Sequence, residues 1–135
     1  MAGRSSASKS GKELQVKVIA LAESLGLKAE REVAAARRLW GAKRHIDVVI
    51  TQKETGKKLG VECKSQSGGG SAEEKIPATV QDIGSWPIPG IVVIAGEGFS
   101  DNMSGYLMST GKVIWFEDLD DWLRLYFGLQ DMEKE

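Results

Sequence analysis

Cysteine and histidine are almost absent from this 135-residue chain, which contains one of each, Cys63 and His45. A single cysteine excludes a disulfide framework within the chain and fits a reducing cytoplasm, where we expect the protein to reside. The two residues are also too few for a structural zinc site, which needs several Cys or His ligands. A Ser-His-Asp or Cys-His catalytic arrangement would therefore have to use His45.

Long apolar runs are also missing, and none approaches the ~20 residues that cross a bilayer. No apolar stretch follows the N-terminal residues, so we expect neither a secretory signal nor a membrane anchor. Hydrophobic residues make up 41% and charged residues 27%, which is typical of a soluble globular protein. The length predicts one domain over residues 10–130, between a flexible tail at 1–9 and an acidic tail at 131–135.

The net charge of −1 conceals an uneven distribution of charge along the chain. Residues 1–64 contain 14 Lys/Arg and 7 Asp/Glu, whereas residues 65–135 contain 4 and 12. A basic half of this kind indicates a face that binds a polyanion such as a nucleic acid. The alternative is that the acidic half merely solvates helices and a tail.

Two capping boxes and an apolar stripe predict the helices. Ser10 and Glu13 form the first box, with Ser10 as the N-cap of a helix that ends at Gly26. The second box opens a helix over residues 71–83. Two further helices are predicted, a short one after Ser100 and a final one with the apolar stripe Leu119, Trp122, Leu123 and Tyr126.

Apolar and β-branched runs predict the strands. One strand runs from Lys28 to about Val33, and residues 37–44 form a basic connection to the next. Residues 45–50 and 59–64 form a β-hairpin. Two more strands are predicted at residues 91–95 and 112–116. This order of elements predicts an α/β architecture, in which a mixed central sheet is flanked by helices.

The hairpin is expected to place four polar residues together. Because side chains alternate along a strand, packing the apolar residues of both strands on one core leaves the polar residues on the opposite face. The apolar set is Ile46, Val48, Ile50, Leu59, Val61 and Cys63. The polar set is Asp47, Glu62, Lys64 and Gln66. Symmetric pairing puts Asp47 opposite Glu62, with Cβ atoms ~5 Å apart, and a one-residue bulge would undo it.

The chemistry of this polar set suits a metal and a phosphate. Two carboxylates this close repel each other unless a cation lies between them. Their hard oxygens suit Mg²⁺, with Mn²⁺ as the expected substitute, and the backbone carbonyl of Cys63 is a candidate third ligand. Lys64 can orient or deprotonate an attacking water or stabilise charge on a phosphate. The alternative is a surface salt bridge between Lys64 and its acidic neighbours, worth ~0–1 kcal/mol.

Asp47 and the pattern Glu62-x-Lys64, followed by Gln66, resemble the motif of the PD-(D/E)XK nuclease superfamily, which has the restriction-endonuclease-like fold. The resemblance covers most of the chain. It implies an αβββαβ core and Mg²⁺-dependent hydrolysis of phosphodiester bonds, with Asp47 and Glu62 as metal ligands and Lys64 as the catalytic lysine. The proline of the superfamily's motif is absent, since Ile46 precedes the aspartate.

Several residues outside the acidic pair are further candidates for the site. Glu13 would supply another carboxylate near the metal, although it also has a structural role in the capping box. Gln66 is placed to hold a phosphate or the attacking water, and Lys75 to contact the nucleic-acid backbone. The densest basic cluster precedes Asp47 and predicts phosphate contacts, with a solvated loop as the alternative. This cluster consists of Arg37, Arg38, Lys43 and Arg44.

Together the residues and the resemblance predict a Mg²⁺-dependent endonuclease that acts on DNA, with RNA open as a substrate. A non-catalytic nucleic-acid-binding module of the same fold is the alternative. A structural protein with an incidental acidic pair is a third hypothesis. We expect either a homodimer or a partner protein that supplies specificity.

Overall fold

The structure is a computed structural model that describes residues 7–37, 43–67, 71–97, 105 and 109–129. No helix within these ranges is long and apolar enough to span a membrane. The elements in chain order are α1 (Ala7–Ser24), β1 (Lys28–Arg37), β2 (Lys43–Thr51), β3 (Lys58–Ser67), α2 (Ser71–Ile83), β4 (Gly90–Glu97), β5 (Val113–Trp115) and α3 (Phe116–Phe127).

The five strands form one mixed sheet in the order β1-β2-β3-β4-β5. β1 pairs with β2 and β2 with β3 in antiparallel orientation, whereas β3, β4 and β5 run parallel to one another. Helices α1 and α3 pack on one face of the sheet, and α2 packs on the other. The predicted α/β architecture with a mixed, helix-flanked sheet is confirmed.

Each face of the sheet carries its own apolar core. The first core joins Val18 of α1 and Leu123 of α3 to strand residues such as Val61. The second lies under α2 and includes Ile76 and Trp86. A central strand with both faces covered has to be apolar at every position, which explains the run at residues 91–94 of β4.

Helix α1 begins at Ala7, so the prediction that Ser10 is its N-cap is wrong. Alanine and lysine upstream of Ser10 favour the helix and extend it backwards once its apolar face is packed. Glu13 therefore lies inside the helix and has no role in a capping box. The predicted end is confirmed, because Gly26 has a φ of 84° and follows the last turn directly.

The first strand is longer than its sequence predicts. β1 continues past Val33 to Arg37, and β2 already begins at Lys43, so both ends of the predicted basic connection are paired sheet. Arg37 lies opposite Lys43, with a bulge in β1 between Ala34 and Ala36. Backbone partners on β2 outweigh the weak helical preference of three consecutive alanines. Residues 38–42, including Arg38, lie outside the described ranges.

Both strands of this first pair change faces at Glu32 and Asp47. Ile46 packs in the core under α2, whereas Val48 packs in the core under α1, so the prediction that they share a face is wrong. The register stays the same on both sides of the switch. Glu32 has a φ of 52°, a conformation that rotates the strand and breaks the simple alternation of side chains.

The remaining elements follow the predictions with small shifts of their ends. The hairpin of β2 and β3, the helix α2 and the buried strand β4 are confirmed. Phe116, predicted as the end of the last strand, is instead the first residue of α3. The short helix predicted after Ser100 falls mainly on residues outside the described ranges.

Candidate active site

The Asp47 carboxylate is fixed between two strands and a helix. Its Oδ2 accepts a hydrogen bond of 2.9 Å from the backbone N–H of Cys63 on β3. The Gln15 side chain on α1 also hydrogen-bonds to it. The backbone pairing of β2 with β3 extends to Val48 and Val61, so the carboxylate adds a cross-strand bond just beyond the ladder. The aspartate therefore does not simply project from the face of the sheet that carries Glu62.

Burial raises the pKa of Asp47 above its ordinary value. The hydrogen bond from Cys63 opposes this rise, the negative charge of Glu32 adds to it, and the positive charge of Lys64 opposes it. The hydrogen bond from Gln15 also favours the ionised form. The aspartate is thus a partly buried carboxylate whose ionised form is disfavoured by burial and by Glu32 and favoured by its other neighbours.

Glu62 is the most perturbed carboxylate of the site. Burial raises its pKa to about 7, and the charge of Asp47 contributes to the rise, whereas Lys64 and a hydrogen bond from the Asp47 backbone lower it. Its Oε1 atom is buried and has no hydrogen-bond partner among the described residues. A buried carboxylate oxygen without a partner is costly. A cation is the kind of partner that would offset this cost.

Lys64 and Glu62 line a cleft between β3 and α2, with a volume of about 390 Å³. Every residue that α2 contributes to the cleft lies on one face of that helix, at the spacing i, i+3, i+4 and i+7. These residues are Lys75, Ala78, Thr79 and Asp82. The structure thus places the predicted phosphate contact Lys75 beside the predicted catalytic lysine, and two cations border the same cleft.

The structure separates Glu13 from this cleft. Glu13 lines a second cleft with Lys17 and Ser65, on the opposite face of β3 from Glu62. The α1 side chain that contacts Asp47 is that of Gln15. The predicted role of Glu13 as a metal ligand stays a prediction, but its cleft is not the one that holds Glu62 and Lys64.

Cys63 contributes its backbone to the site, not its thiol. The side chain is buried in the core under α1, and burial raises the pKa of the thiol. The N–H and C=O of one strand residue project to the same side of the strand. Because the Cys63 N–H points at Asp47, its carbonyl also faces β2, as expected of the predicted third metal ligand.

For the other residues predicted to contact the nucleic acid, the structure gives the position along the strands. Gln66 follows Lys64 by two residues on β3. Arg37 and Lys43 are cross-strand partners at the far end of the β1–β2 hairpin, and Arg44 pairs with Ala36. Lys43 and Arg44 of the basic cluster therefore lie on the same strand as Asp47, four and three residues before it.

Sequence reasoning missed three residues around Asp47. Gln15 is 7% exposed and hydrogen-bonds to Arg31, and Glu32 lies where the strands change faces. A signal for Gln15 was available, because it precedes the buried Val18 and Ala22 by three and seven residues. A polar residue in such a buried stripe needs a partner. No local pattern marks Glu32.

The donors at this site fit a divalent cation. Within the described ranges, no group of three Asp, Glu, His or Cys side chains gathers into a metal site. The side-chain ligands available are thus the two carboxylates, and the remaining positions fall to a backbone carbonyl, water or substrate. Mg²⁺ commonly binds in this way, through one or two carboxylates and several waters.

Comparison with known proteins agrees with this geometry. No curated protein matches the chain. The crystal structure of a protein of unknown function, AF1548, is similar with a TM-score of 0.52 and 20% identity, over 76% of this chain and 55% of that protein. That likeness shows the fold alone. The sequence profile of the PD-(D/E)XK nuclease superfamily domain matches residues 6–113. This range contains the whole candidate site, and the chain belongs to the PD-(D/E)XK nuclease superfamily, whose members are typically nucleases that use divalent metals.

Proposed function

We propose that this protein is a Mg²⁺-dependent endonuclease that hydrolyses phosphodiester bonds in DNA. The observation that carries the proposal is the buried Oε1 of Glu62, which has no hydrogen-bond partner among the described residues. It belongs to a carboxylate that interacts electrostatically with Asp47 and Lys64. An acidic pair with one unsatisfied oxygen beside a lysine favours a site for a cation and a phosphate over a surface salt bridge.

Asp47 and Glu62 would hold the cation, with the Cys63 carbonyl as a further ligand. A divalent cation bound there neutralises phosphate charge and makes water a better nucleophile. Mn²⁺ is the expected substitute because it accepts the same oxygen ligands. The hydrogen bond from Cys63 fixes the Asp47 carboxylate, which limits the reorganisation needed when the ion binds.

Lys64 is the proposed catalytic residue that is not a metal ligand. It lies beside Glu62 at the wall of the cleft, with Lys75 across from it on α2. Its ammonium would orient or deprotonate the attacking water, or stabilise the charge that develops on the phosphate. Lys75 would hold an adjacent phosphate, and Gln66 would hold the attacking water or a phosphate oxygen.

The end of the β1–β2 hairpin supports a nucleic acid as the substrate. Arg37, Lys43 and Arg44 are in paired strands there, and Arg38 follows directly in the chain. Lys43 precedes Asp47 by four residues of strand, which corresponds to ~13 Å. Phosphates a few nucleotides from the scissile bond would lie within reach of these cations, which would position the backbone without reading its sequence.

We also propose that two copies of the chain, or one copy and a partner protein, act together on duplex DNA. One acidic pair serves one strand at a time, so a double-strand break needs a second site or a second binding event. Homodimerisation would supply the second site, whereas a partner would supply specificity.

A cleavage assay tests the proposed function. The wild type is incubated with duplex DNA, a four-way junction, single-stranded DNA and RNA, in Mg²⁺, Mn²⁺ or EDTA. We expect cleavage of at least one DNA substrate in either metal, none in EDTA and none by Glu62→Gln. Glu117→Gln is the matched control, since Glu117 is exposed on α3, and it should cleave like the wild type.

Two outcomes would overturn the proposal. Cleavage that survives in EDTA, or in Glu62→Gln, would remove the acidic pair from the mechanism. A folded wild type that cuts none of the substrates but shifts DNA in a gel in Ca²⁺ would instead establish the non-catalytic binding module.

A further inference from the structure

Gln15 and Arg31 form a hydrogen-bonded relay that leads to Asp47. Gln15 is buried in α1, where its neighbours Leu14 and Val18 belong to the apolar core. Arg31 on β1 donates two hydrogen bonds to Oε1 of Gln15, from Nε at 3.2 Å and from Nη2 at 3.0 Å. The same glutamine side chain hydrogen-bonds to the Asp47 carboxylate.

The direction of each hydrogen bond in this relay follows from the chemistry of the groups. A guanidinium has donors only, so the side-chain oxygen of Gln15 must face Arg31. An ionised carboxylate accepts only, so the bond to Asp47 has to come from the amide N–H of Gln15. Arg31 therefore fixes which end of the amide faces the aspartate and prevents the amide from flipping.

A glutamine at this position is not explained by core packing. Burying an amide costs free energy unless its groups are paired, and an apolar side chain would fill the space without that cost. The relay also joins three elements, since α1 carries Gln15, β1 carries Arg31 and β2 carries Asp47. The relay thus ties the helix to the aspartate from the side opposite the cleft that Glu62 lines.

We propose that Gln15 is a positioning residue for Asp47, and that Arg31 acts through Gln15. With the bond from the Cys63 backbone, the amide holds the carboxylate from a second direction, in the orientation that binds a divalent cation. This inference rests on the proposed function, because it assigns a purpose to residues that touch neither the metal nor the substrate. Partners of this kind typically change metal affinity about 10–100-fold when they are removed.

The charge of Arg31 makes the proposal testable by the direction in which cation affinity changes. If Arg31 acted only as a nearby positive charge, Arg31→Met would remove repulsion and strengthen the binding of a cation. If Arg31 acts by orienting Gln15, the same change frees the amide and weakens the binding. The two explanations predict opposite shifts in one measured affinity.

The experiment measures Mn²⁺ affinity of the full chain by titration calorimetry, with electron paramagnetic resonance of free Mn²⁺ as the second readout. We expect Gln15→Met to weaken binding about 10–100-fold and Arg31→Met to weaken it by a smaller factor. The double variant should bind no more weakly than Gln15→Met alone, because Arg31 acts only through the glutamine. Gln52→Met is the matched control, since Gln52 is a half-buried glutamine just after the end of β2 whose side chain donates a hydrogen bond to the carbonyl of Phe127.

The results distinguish failure of the proposed function from failure of the positioning role. If the wild type binds no Mn²⁺, the proposed function fails and the relay with it. If the wild type binds Mn²⁺ and Gln15→Met binds equally well, or Arg31→Met binds more tightly, the positioning role is overturned while the proposed function stands. If Gln15→Met does not fold, Arg31→Met decides the question, because Arg31 is exposed and its removal leaves the core intact.

Discussion

Cys63 donates its backbone N–H to Oδ2 of Asp47 at 2.9 Å, so the aspartate of β2 is held by the strand that carries Glu62 and Lys64. Beyond Val48 and Val61, where the backbone pairing of the two strands ends, this side-chain bond joins them. The Asp47 carboxylate thus has two roles, because it accepts a backbone N–H and it carries negative charge. Substitutions can remove one role and keep the other.

Asp47→Asn should keep the fold and lose the metal. The amide oxygen of asparagine can still accept the Cys63 N–H, but it carries no charge. We expect Mg²⁺ affinity to fall sharply in calorimetry and cleavage to fall at least about 100-fold. Asp47→Leu should also leave that N–H unpaired and lower the free energy of unfolding in urea by about 1–3 kcal/mol. Wild-type Mg²⁺ affinity in Asp47→Asn would remove this residue from the ligands.

Glu62 should make the metal-free protein less stable as pH rises. Its pKa is raised from 4.5 to about 7 in the folded state, so the folded protein holds a proton that the unfolded chain releases. The stabilisation is complete below about pH 4.5 and is lost as pH rises through about 7, with a total of about 3 kcal/mol. Glu62→Gln should flatten this decline and be the more stable protein above pH 7. Urea unfolding in EDTA across this pH range measures both, and parallel curves would contradict the assignment.

Lys64→Ala should separate catalysis from binding. The ammonium is not a metal ligand, so Mg²⁺ affinity should stay near that of the wild type and DNA binding within several-fold. Cleavage should fall by at least about 100-fold, because general acid–base assistance is worth roughly 10²–10⁴ in rate. Lys64→Arg should not restore it, since a guanidinium does not give up its proton. Single-turnover cleavage rates measure this effect. An unchanged rate in Lys64→Ala would show that Lys64 has no catalytic role.

The proximity of Asp47, Glu62 and Lys64 could be predicted because a symmetric hairpin brings it about. The turn residues fix the register, and the register places position 47 near position 62 whichever way the side chains turn. The α/β architecture was equally accessible, since capped helices and one fully apolar strand are local signals.

The orientation of Asp47 could not be predicted, because it depends on distant residues. Alternation along β2 assumes regular backbone, and Glu32 on another strand breaks that assumption. The contact from Gln15 depends on how α1 packs across the sheet. The length of β1 depends on pairing with β2, which overrides the helical preference of its alanines. All three are tertiary effects that a local pattern does not contain.

The basic end of the β1–β2 hairpin should contribute to DNA affinity through phosphates. We expect Lys43→Ala/Arg44→Ala to weaken binding to unrelated duplexes alike. It should also reduce the slope of log affinity against log salt by up to about 0.9 for each phosphate that the variant no longer neutralises. Lys28→Ala/Lys53→Ala is the charge-matched control, because both lysines are exposed toward the opposite end of the same strands. Equal slopes for the two double variants would show that the cluster is only solvated.

Glu32 should be a residue that costs stability, because its φ of 52° is unfavourable for a side chain with a Cβ atom. Glu32→Gly should remove this strain and raise the free energy of unfolding by up to about 1 kcal/mol. Glu30→Gly is the matched control, since Glu30 is an exposed glutamate in a regular part of the same strand, paired with Val49. There the glycine should lower the free energy of unfolding by roughly 0.5–1 kcal/mol. Urea unfolding of both variants tests these opposite changes in the free energy of unfolding. Destabilisation by both would show that the backbone at Glu32 stores no strain.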